Sequence, residues 1–428
     1  MASTADTTRI DLPYGGQIVP IDIPSSNLRS VLSPNSVDAV GSLDDEIRRA
    51  LNEPIDAPYL REAARGAGQA LIIADDLTRL TPVDRIIPHV LDELNLAGMR
   101  DDQITVMIAL GTHRPMTEAE IDHRFGKAVR TRVQVINSPW QDPDQMHEMG
   151  ITEEGTPISI ARLAIESDIV IGLGSIVPHH IPGFSAGAKI VQPGISGAAT
   201  TGATHFLSTR TRRSYLGSVE NVIRHEMENI AERVGLTAVL NTVLNQDGDV
   251  VGAVYGDQRT AFRKGVDLSR GVYGVPLREQ ADIVVASSYP CDIEFWQAHK
   301  TLYPADIAVR DGGTIIVLTP CPEGVSVTHQ DMLEITALDA AQIETMIDRG
   351  EMDDVVSGGL ALAWARIRER ADVSLVSGGI PDADARALAF TPFGSVDDAL
   401  AAALEKHGED ATINVLTHAP DLLPMLEQ

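Results

Sequence analysis

Residues 70–114 read ALIIADDLTRLTPVDRIIPHVLDELNLAGMRDDQITVMIALGTHR, and this stretch predicts the fold of the chain. Two apolar runs of strand length, Ala70–Ala74 and Ile104–Leu110, flank an amphipathic stretch with helical spacing, Val83–Leu96. A strand, a helix and a second strand in this order predict parallel strands joined by a helix that covers the sheet.

The same alternation continues along most of the chain. Two more amphipathic stretches, Glu118–Phe125 and Ala340–Arg349, lie between further apolar runs. We therefore predict an α/β protein of two domains, in which mostly parallel sheets are flanked by helices. The further apolar runs are Val133–Ile136, Ile169–Leu173, Ile283–Ser287, Thr314–Leu318, Val373–Val376 and Ile413–Leu416.

Two local patterns indicate how the domains are divided. Arg9–Leu12 and Gln17–Ile23, on either side of a YGG turn, predict an N-terminal hairpin. The stretch GVYGVPLRE, Gly271–Glu279, precedes a fresh strand and predicts a boundary. We expect an N-terminal catalytic and cofactor-binding domain over residues 1–272 and a C-terminal α/β domain over residues 273–428. The active site is expected in the cleft between them, where small-molecule sites are common.

The net charge restricts the class of partner. The 428 residues carry a formal charge of -27, which disfavours nucleic acid and anionic membranes as partners. A solvated acidic surface is the simplest interpretation, and adaptation to a salt-rich cytoplasm is an alternative. With five lysines against 29 arginines, a lysine inside a Gly-rich motif stands out.

Cysteines and apolar runs indicate the compartment. Two cysteines, Cys291 and Cys321, do not make a disulfide framework. The N-terminal residues lack a charged region followed by an apolar stretch, and no run approaches the ~18 apolar residues of a membrane helix. These features predict a cytoplasmic protein.

Polar residues follow the first two predicted strands, where ligands of parallel sheets bind. In DDLTR, Asp76 and Arg79 come directly after a strand, and Arg79 offers a planar fork suited to a carboxylate. In GTHR, His113 comes after the next strand. The alternatives are an Asp–Arg pair that only ties the turn together and a histidine on the surface.

The densest passage is GLGSIVPHHIPGFSAGAKIVQPGISGAATTGATH, residues 172–205. It contains His179, His180, Lys189 and His205 among small residues, so we expect a pocket around a flat group. The Gly-rich loop GFSAGAK, with Ser185 and Gly187, could hold a phosphate on its backbone N–H groups. It matches neither a Walker motif nor a dinucleotide-binding fingerprint. Two adjacent histidines could also be a loop feature without chemistry.

The second predicted domain supplies one candidate pair. Gln297 and Lys300 lie three residues apart in EFWQAHKT, which places them on one face of a helix. They could bind a substrate carboxylate, and the alternative is a solvated helix face. The sequence has no C-x-x-C, H-E-x-x-H or G-x-S-x-G motif, so most ligands of any metal would come from elsewhere.

The set DDLTR, GTHR, VPHHIPGFSAGAK, ATH and QAHK resembles the nickel-dependent lactate racemase family of 2-hydroxyacid racemases and epimerases. The resemblance covers the chain from LPYG near the N-terminus to QAHKT, in order and spacing. It implies a nickel-pincer nucleotide, pyridinium-3-thioamide-5-thiocarboxylic acid mononucleotide, covalently linked to Lys189. It also implies Ni²⁺ bound by His205, a small 2-hydroxy acid as substrate, and cofactor-synthesis enzymes that load the protein.

The resemblance further assigns roles to the other residues. His113 and His179 would be the catalytic acid–base pair, and Asp76 would orient Arg79 or the cofactor. Ala186 stands where the family commonly has glycine, and Trp364 stays outside the predicted site. The remaining assignments are Ser185 and Gly187 to the cofactor, and Arg79, Gln297 and Lys300 to the substrate.

These assignments predict inversion at C2 of lactate or a related 2-hydroxy acid. Hydride transfer to the cofactor would pass through a planar 2-keto acid. The alternatives are a nicotinamide-dependent 2-hydroxyacid dehydrogenase, disfavoured by the missing dinucleotide fingerprint, and a non-catalytic cofactor-binding protein, which would need neither base.

Overall fold

The computed structural model describes residues 6–211 and 213–427, which form two compact units. The N unit consists of Ser36–Ser208 and Gly217–Val272. The C unit consists of the described residues within Met1–Asn35, Thr209–Leu216 and Tyr273–Gln428.

The regular elements follow the predicted alternation. The strands are β1 (Thr7–Tyr14), β2 (Gln17–Pro24), β3 (Leu28–Leu32), β4 (Ala70–Asp75), β5 (Ile104–Ala109), β6 (Gln134–Asn137), β7 (Met146–Ile151), β8 (Pro157–Ala161), β9 (Ile169–Ser175), β10 (Pro178–His179), β11 (Gly183–Phe184), β12 (Ala238–Leu244), β13 (Val250–Gly256), β14 (Gly274–Leu277), β15 (Ala281–Ser287), β16 (Val309–Leu318), β17 (Asp372–Val376), β18 (Thr391–Phe393), β19 (Ile413–Leu416) and β20 (Leu423–Leu426). The α-helices are α1 (Leu43–Asn52), α2 (Leu60–Ala63), α3 (Val83–Leu96), α4 (Glu118–Arg130), α5 (Arg162–Glu166), α6 (Ala198–Ser208), α7 (Val222–Val234), α8 (Thr260–Tyr273), α9 (Phe295–Ala298), α10 (Leu302–Ala308), α11 (Met332–Ile335), α12 (Ala340–Asp348), α13 (Val355–Arg368), α14 (Asp382–Ala387) and α15 (Val396–His407).

The N unit is built on a six-stranded sheet in the order β13-β12-β9-β4-β5-β6. All neighbours are parallel except β12 and β13, which form an antiparallel edge. Every residue of β4 and β9 is buried, because helices and loops cover both faces of a parallel sheet. This explains why these strands read as continuous apolar runs in the sequence.

The C unit is built on a second six-stranded sheet in the order β18-β17-β16-β15-β19-β3, with all neighbours parallel. The predicted fold class, α/β with mostly parallel sheets, is confirmed.

The N-terminal segment joins the C unit and not the N unit. β3 pairs with β19 at the edge of the C-unit sheet, and the Asn27 side-chain amide donates to the carbonyls of Glu409 and Ala411. The predicted hairpin is present as β1 and β2, and its apolar residues Ile10, Leu12, Ile21 and Ile23 pack into the same core as β15 and β19. By this division the N unit begins at Ser36, lacks Thr209–Leu216 and ends at Val272, and the expected domain of residues 1–272 stays a prediction.

Within residues 6–211 and 213–427, no helix combines the length and the apolar character that crossing a membrane requires.

Candidate active site

The candidate residues of the N unit follow the carboxyl ends of its parallel strands. Asp76 comes after β4, His113 after β5 and the loop with His179 after β9. The helix after His113 begins as predicted, because Thr117 and Glu120 cap α4 reciprocally. The three strand ends lie side by side in the sheet, so the fold itself gathers these loops.

Asp76 and His113 form a hydrogen-bonded dyad. The Nδ1 atom of His113 lies 2.7 Å from Oδ2 of Asp76, whose other oxygen accepts hydrogen bonds from the amide and hydroxyl of Thr78 at 3.0 and 2.5 Å. Burial alone would raise the pKa of Asp76, but His113 and Thr78 outweigh it and hold this pKa well below its usual range. The ionised carboxylate therefore accepts Nδ1–H, which leaves Nε2 of neutral His113 as a proton acceptor.

Arg79 is half-buried, and its Nη1 donates to the carbonyl and hydroxyl of Thr78 at 3.2 and 3.4 Å. The hydrogen bond of the Asp76 carboxylate goes to His113. The resemblance implies that Asp76 orients Arg79 or the cofactor, and this role stays a prediction; the charge of Arg79 helps to lower the pKa of the Asp76 carboxyl.

The Asp76 dyad predicts a pH-dependent contribution to stability. A carboxyl group with a lowered folded-state pKa stabilises the fold above its unfolded pKa, about 3.9, and loses this contribution as pH falls toward the folded value. We expect the difference in unfolding free energy between wild type and Asp76→Asn to be largest near neutral pH. It should shrink below about pH 5 in urea titrations. Asp84→Asn, on the exposed start of α3, is the control. A difference that stays constant with pH would contradict the prediction.

A neighbouring carboxylate, Asp75, begins the same DDLTR stretch. It is buried, accepts from Arg124 at 2.8 Å and from the Thr81 hydroxyl at 2.5 Å, and Thr81 in turn lies 2.6 Å from the Ser175 hydroxyl. Burial raises the pKa of Asp75, and Arg124 and Thr81 oppose that rise. Thr81 therefore ties the end of β4 to the end of β9.

His179 lies in a small hairpin after β9. The Ile181 amide donates to Nδ1 of His179 at 3.2 Å, so the neutral ring carries its proton on Nε2. The ring of His180 stacks on it, with centroids 4.7 Å apart. His113 and His179 are thus set up in opposite tautomers: one offers a proton acceptor at Nε2 and the other a proton donor.

Lys189 lies on a 3₁₀ turn, Gly187–Ile190, and is half-buried. The loop before it is bonded to the rest of the N unit: the Ser185 hydroxyl donates to the Ser175 carbonyl at 2.6 Å, and the Gly187 amide donates to Asn241 at 3.1 Å. The Lys189 amide donates to the Ala186 carbonyl at 3.2 Å. The Gly187 and Lys189 N–H groups therefore have acceptors within the chain, and the assignment of Ser185 and Gly187 to the cofactor stays a prediction.

His205 lies on α6 and is half-buried. Its Nδ1 atom is 2.7 Å from the Thr201 carbonyl one turn earlier, so Nδ1 carries the proton and Nε2 is the unprotonated nitrogen. This is the tautomer that a metal ligand requires. Across residues 6–211 and 213–427, no group of three or more His, Cys, Asp or Glu side chains is arranged to hold a metal ion.

Gln297 and Lys300 meet in the C unit. The ammonium of Lys300 donates to Oε1 of Gln297 at 2.5 Å, and both side chains are half-buried. The buried Trp364 packs against Phe295 and His299 of this segment. Trp364 thus belongs to the buried core against which the segment packs.

The LPYG stretch at the N-terminus lies at the carboxyl ends of the C-unit strands. Ser287, which ends β15, donates to the Pro13 carbonyl at 2.5 Å, and the Gly15 amide donates to Asp292 at 2.9 Å. The Gly378 amide, after β17, donates to the Tyr14 hydroxyl at 2.8 Å. This turn therefore fixes the loop that leads from β15 to Gln297.

Two models of known families match the chain in succession. "Lactate racemase N-terminal domain" matches residues 14–217, and "Lactate racemase C-terminal domain" matches residues 277–421. The lactate racemase of Thermoanaerobacterium thermosaccharolyticum is 30% identical over 323 residues, or 74% of this chain and 75% of that protein. The lactate racemase of Lactiplantibacillus plantarum is 30% identical over 322 residues, with the same two shares.

Two solved structures are similar to this chain in fold. The lactate racemase apoprotein from Thermoanaerobacterium thermosaccharolyticum superposes with a TM-score of 0.89 at 26% identity, covering 98% of this chain and 100% of that one. A Thermotoga maritima protein superposes with a TM-score of 0.72 at 19% identity, covering 92% and 100%. At that identity the second likeness concerns the fold alone.

Proposed function

Because this chain belongs to the lactate racemase family of isomerases, we propose that it inverts C2 of lactate or a related 2-hydroxy acid through a planar 2-keto acid. The family and the isomerase class predicted from the motifs are confirmed. Membership of an isomerase family favours this activity over the dehydrogenase and the non-catalytic binder. The residue roles, the substrate and the nickel cofactor are our proposals.

The observation that carries the mechanism is the pair of histidines in opposite tautomers. Inversion needs two groups, because the two enantiomers present the hydroxyl in different directions. One histidine, such as His113 through Nε2, takes the hydroxyl proton as the planar keto acid forms. The other, His179, returns a proton from its imidazolium form as the opposite enantiomer forms, because a neutral imidazole is too weak an acid to give up its N–H. The ionised Asp76 stabilises the imidazolium of His113 after it has accepted the proton.

The substrate carboxylate requires a cationic partner and a hydrogen-bond donor. Lys300 supplies the charge, and Gln297 positions its ammonium through their hydrogen bond. Arg79, half-buried after β4, is the second candidate for the carboxylate.

Two residues fit the proposed nickel-pincer nucleotide, which when bound supplies a reversible acceptor for the hydride at C2. His205 fits the nickel because its unprotonated Nε2 offers one neutral nitrogen ligand. Lys189 fits the covalent link because its turn and the preceding loop are fixed within the N unit. Ser185 and Gly187 support the group by shaping this loop, and Asp76 contributes through His113.

The test is chemical analysis of protein co-expressed with the cofactor-synthesis enzymes. We expect mass spectrometry to find an adduct on the Lys189 peptide, and chiral chromatography to find inversion of at least one enantiopure 2-hydroxy acid. Protein from a host without the cofactor pathway should carry no adduct and be inactive. An unmodified Lys189 peptide in active protein would overturn the tether, and activity in the cofactor-free host would overturn the mechanism.

A further inference from the structure

A buried arginine contacts the loop GFSAGAK, which ends at Lys189, and it has no role in the proposed mechanism. Arg224 is on α7, in the stretch VIRHEMENIAERV, and its side chain has no solvent exposure. Glu228, one turn later, is already paired with Arg259 and Arg263 at 3.3 and 2.9 Å. Burial lowers the pKa of Arg224 to about 9, and Glu228 opposes that effect. Burying a cation in this way costs free energy, so its contacts need an explanation.

The guanidinium of Arg224 is used to hold backbone carbonyls. Nη1 donates to the carbonyl of Ala186 at 3.1 Å, and Nη2 donates to the carbonyl of Phe184. The guanidinium carbon lies 4.1 Å from the centre of the Phe262 ring, a cation–π contact. One side chain therefore spans two carbonyls of the loop GFSAGAK and is itself supported by α8.

The loop adopts a backbone that needs such support. Ala186 has φ 60° and ψ −162°, a region populated almost only by glycine. At the next residue, a Cβ on Gly187 would come within 2.7 Å of the Phe262 ring and 3.3 Å of Arg224. A strained backbone persists where its surroundings fix it. Arg224 and Phe262 provide that fixation here.

The Ala186 carbonyl links the arginine to the lysine. It accepts from Arg224 Nη1 at 3.1 Å and from the Lys189 amide at 3.2 Å, and the second bond belongs to the 3₁₀ turn that carries Lys189. We propose that Arg224 is a positioning residue that clamps residues 184–187 and thereby sets the Lys189 side chain for attachment of the cofactor. The attachment itself rests on the proposed function, whereas the clamp concerns the protein before loading.

The test compares Arg224→Met with wild type as unloaded full-length protein. Methionine fills the same space without donors, so the two carbonyls lose their partners. We expect amide hydrogen exchange in the peptide over residues 183–191 to become at least about ten-fold faster. We also expect the reductive methylation rate of Lys189 to approach that of the three exposed lysines, Lys127, Lys264 and Lys406, which serve as internal references.

The controls separate a local effect from misfolding. Arg233→Met changes an exposed arginine on the same helix and should leave both measurements as in wild type. Arg224→Lys keeps the charge but cannot span two carbonyls, so its exchange rate should fall between wild type and Arg224→Met. Unchanged circular dichroism and cooperative thermal unfolding are required of each variant, and Arg224→Lys carries the test if the methionine variant fails to fold.

Cofactor-loaded protein tests whether the clamp promotes attachment of the cofactor to Lys189. Together with faster exchange, we expect the share of Lys189 carrying the adduct to fall at least about five-fold in Arg224→Met. Unchanged exchange and methylation in both Arg224 variants would overturn the clamp, and so would a loosened loop with an undiminished adduct. Absence of the adduct from wild type would overturn only the proposed function, because the exchange and methylation results judge the clamp in unloaded protein.

Discussion

Replacing His113 with asparagine is expected to reduce kcat/KM for inversion by about 100- to 10,000-fold in both directions, and His179→Asn should do the same. Each histidine would serve as base for one enantiomer and acid for the other, so neither direction runs without both. Asparagine keeps the polar character of each position but cannot exchange a proton near neutral pH. Chiral chromatography from each pure enantiomer measures the two directions separately.

A single-turnover experiment distinguishes the two histidines. Each variant should still convert one enantiomer of the substrate to the 2-keto acid, and the retained enantiomer should differ between His113→Asn and His179→Asn. His123→Asn, at an exposed position of α4, is the control and should behave as wild type. Retention of the same enantiomer by both variants would contradict the assignment of the histidines as an opposed pair.

Replacing His205 with alanine is expected to lower the nickel content of loaded protein at least about 100-fold. The side chain is half-buried, and its Nδ1 hydrogen bond goes to its own helix, so we expect the fold to survive the change. Elemental analysis measures nickel per protein, and circular dichroism checks the fold.

The control for the His205→Ala variant is a change at another histidine of the N unit. His225 lies exposed on α7 and pairs with Glu220 at 3.0 Å, and His225→Ala should keep the wild-type nickel content. Wild-type nickel in His205→Ala would remove this residue from the coordination sphere, even if activity were lost.

The fold was predictable where burial makes a strand apolar along its whole length. β4, β9 and β15 are buried throughout and were predicted within a residue or two of their observed bounds. β3 was missed because LRSVL is short and only its last residue is buried. Its partner β19 also begins almost four hundred residues later, and no local pattern reveals a pairing at that separation.

The sequence indicated which loops carry the candidate residues. It did not indicate which side chains bond to each other. The order of strands and loops gave the positions of Asp76, His113 and Lys189. It could not show that Asp76 bonds to His113, because both Arg79 and His113 are chemically suitable partners. Arg224 was missed for a related reason: an arginine within a charged helical stretch is typical of a solvated surface. Its burial depends on contacts with a loop about forty residues earlier.

The pairing of β3 with β19 also fixes the order in which the chain can mature on the ribosome. The N unit is complete in sequence once Val272 has been synthesised, so it can fold while translation continues. The first segment of the chain must wait for residues Ile413–Leu416 before its last strand finds a partner. At about 5–20 residues per second, the stretch from Val272 to Leu416 takes roughly 7–30 seconds to make. During that interval β3 has no partner strand, whereas the hairpin can already pack on β15, β16 and β17 as these strands are made.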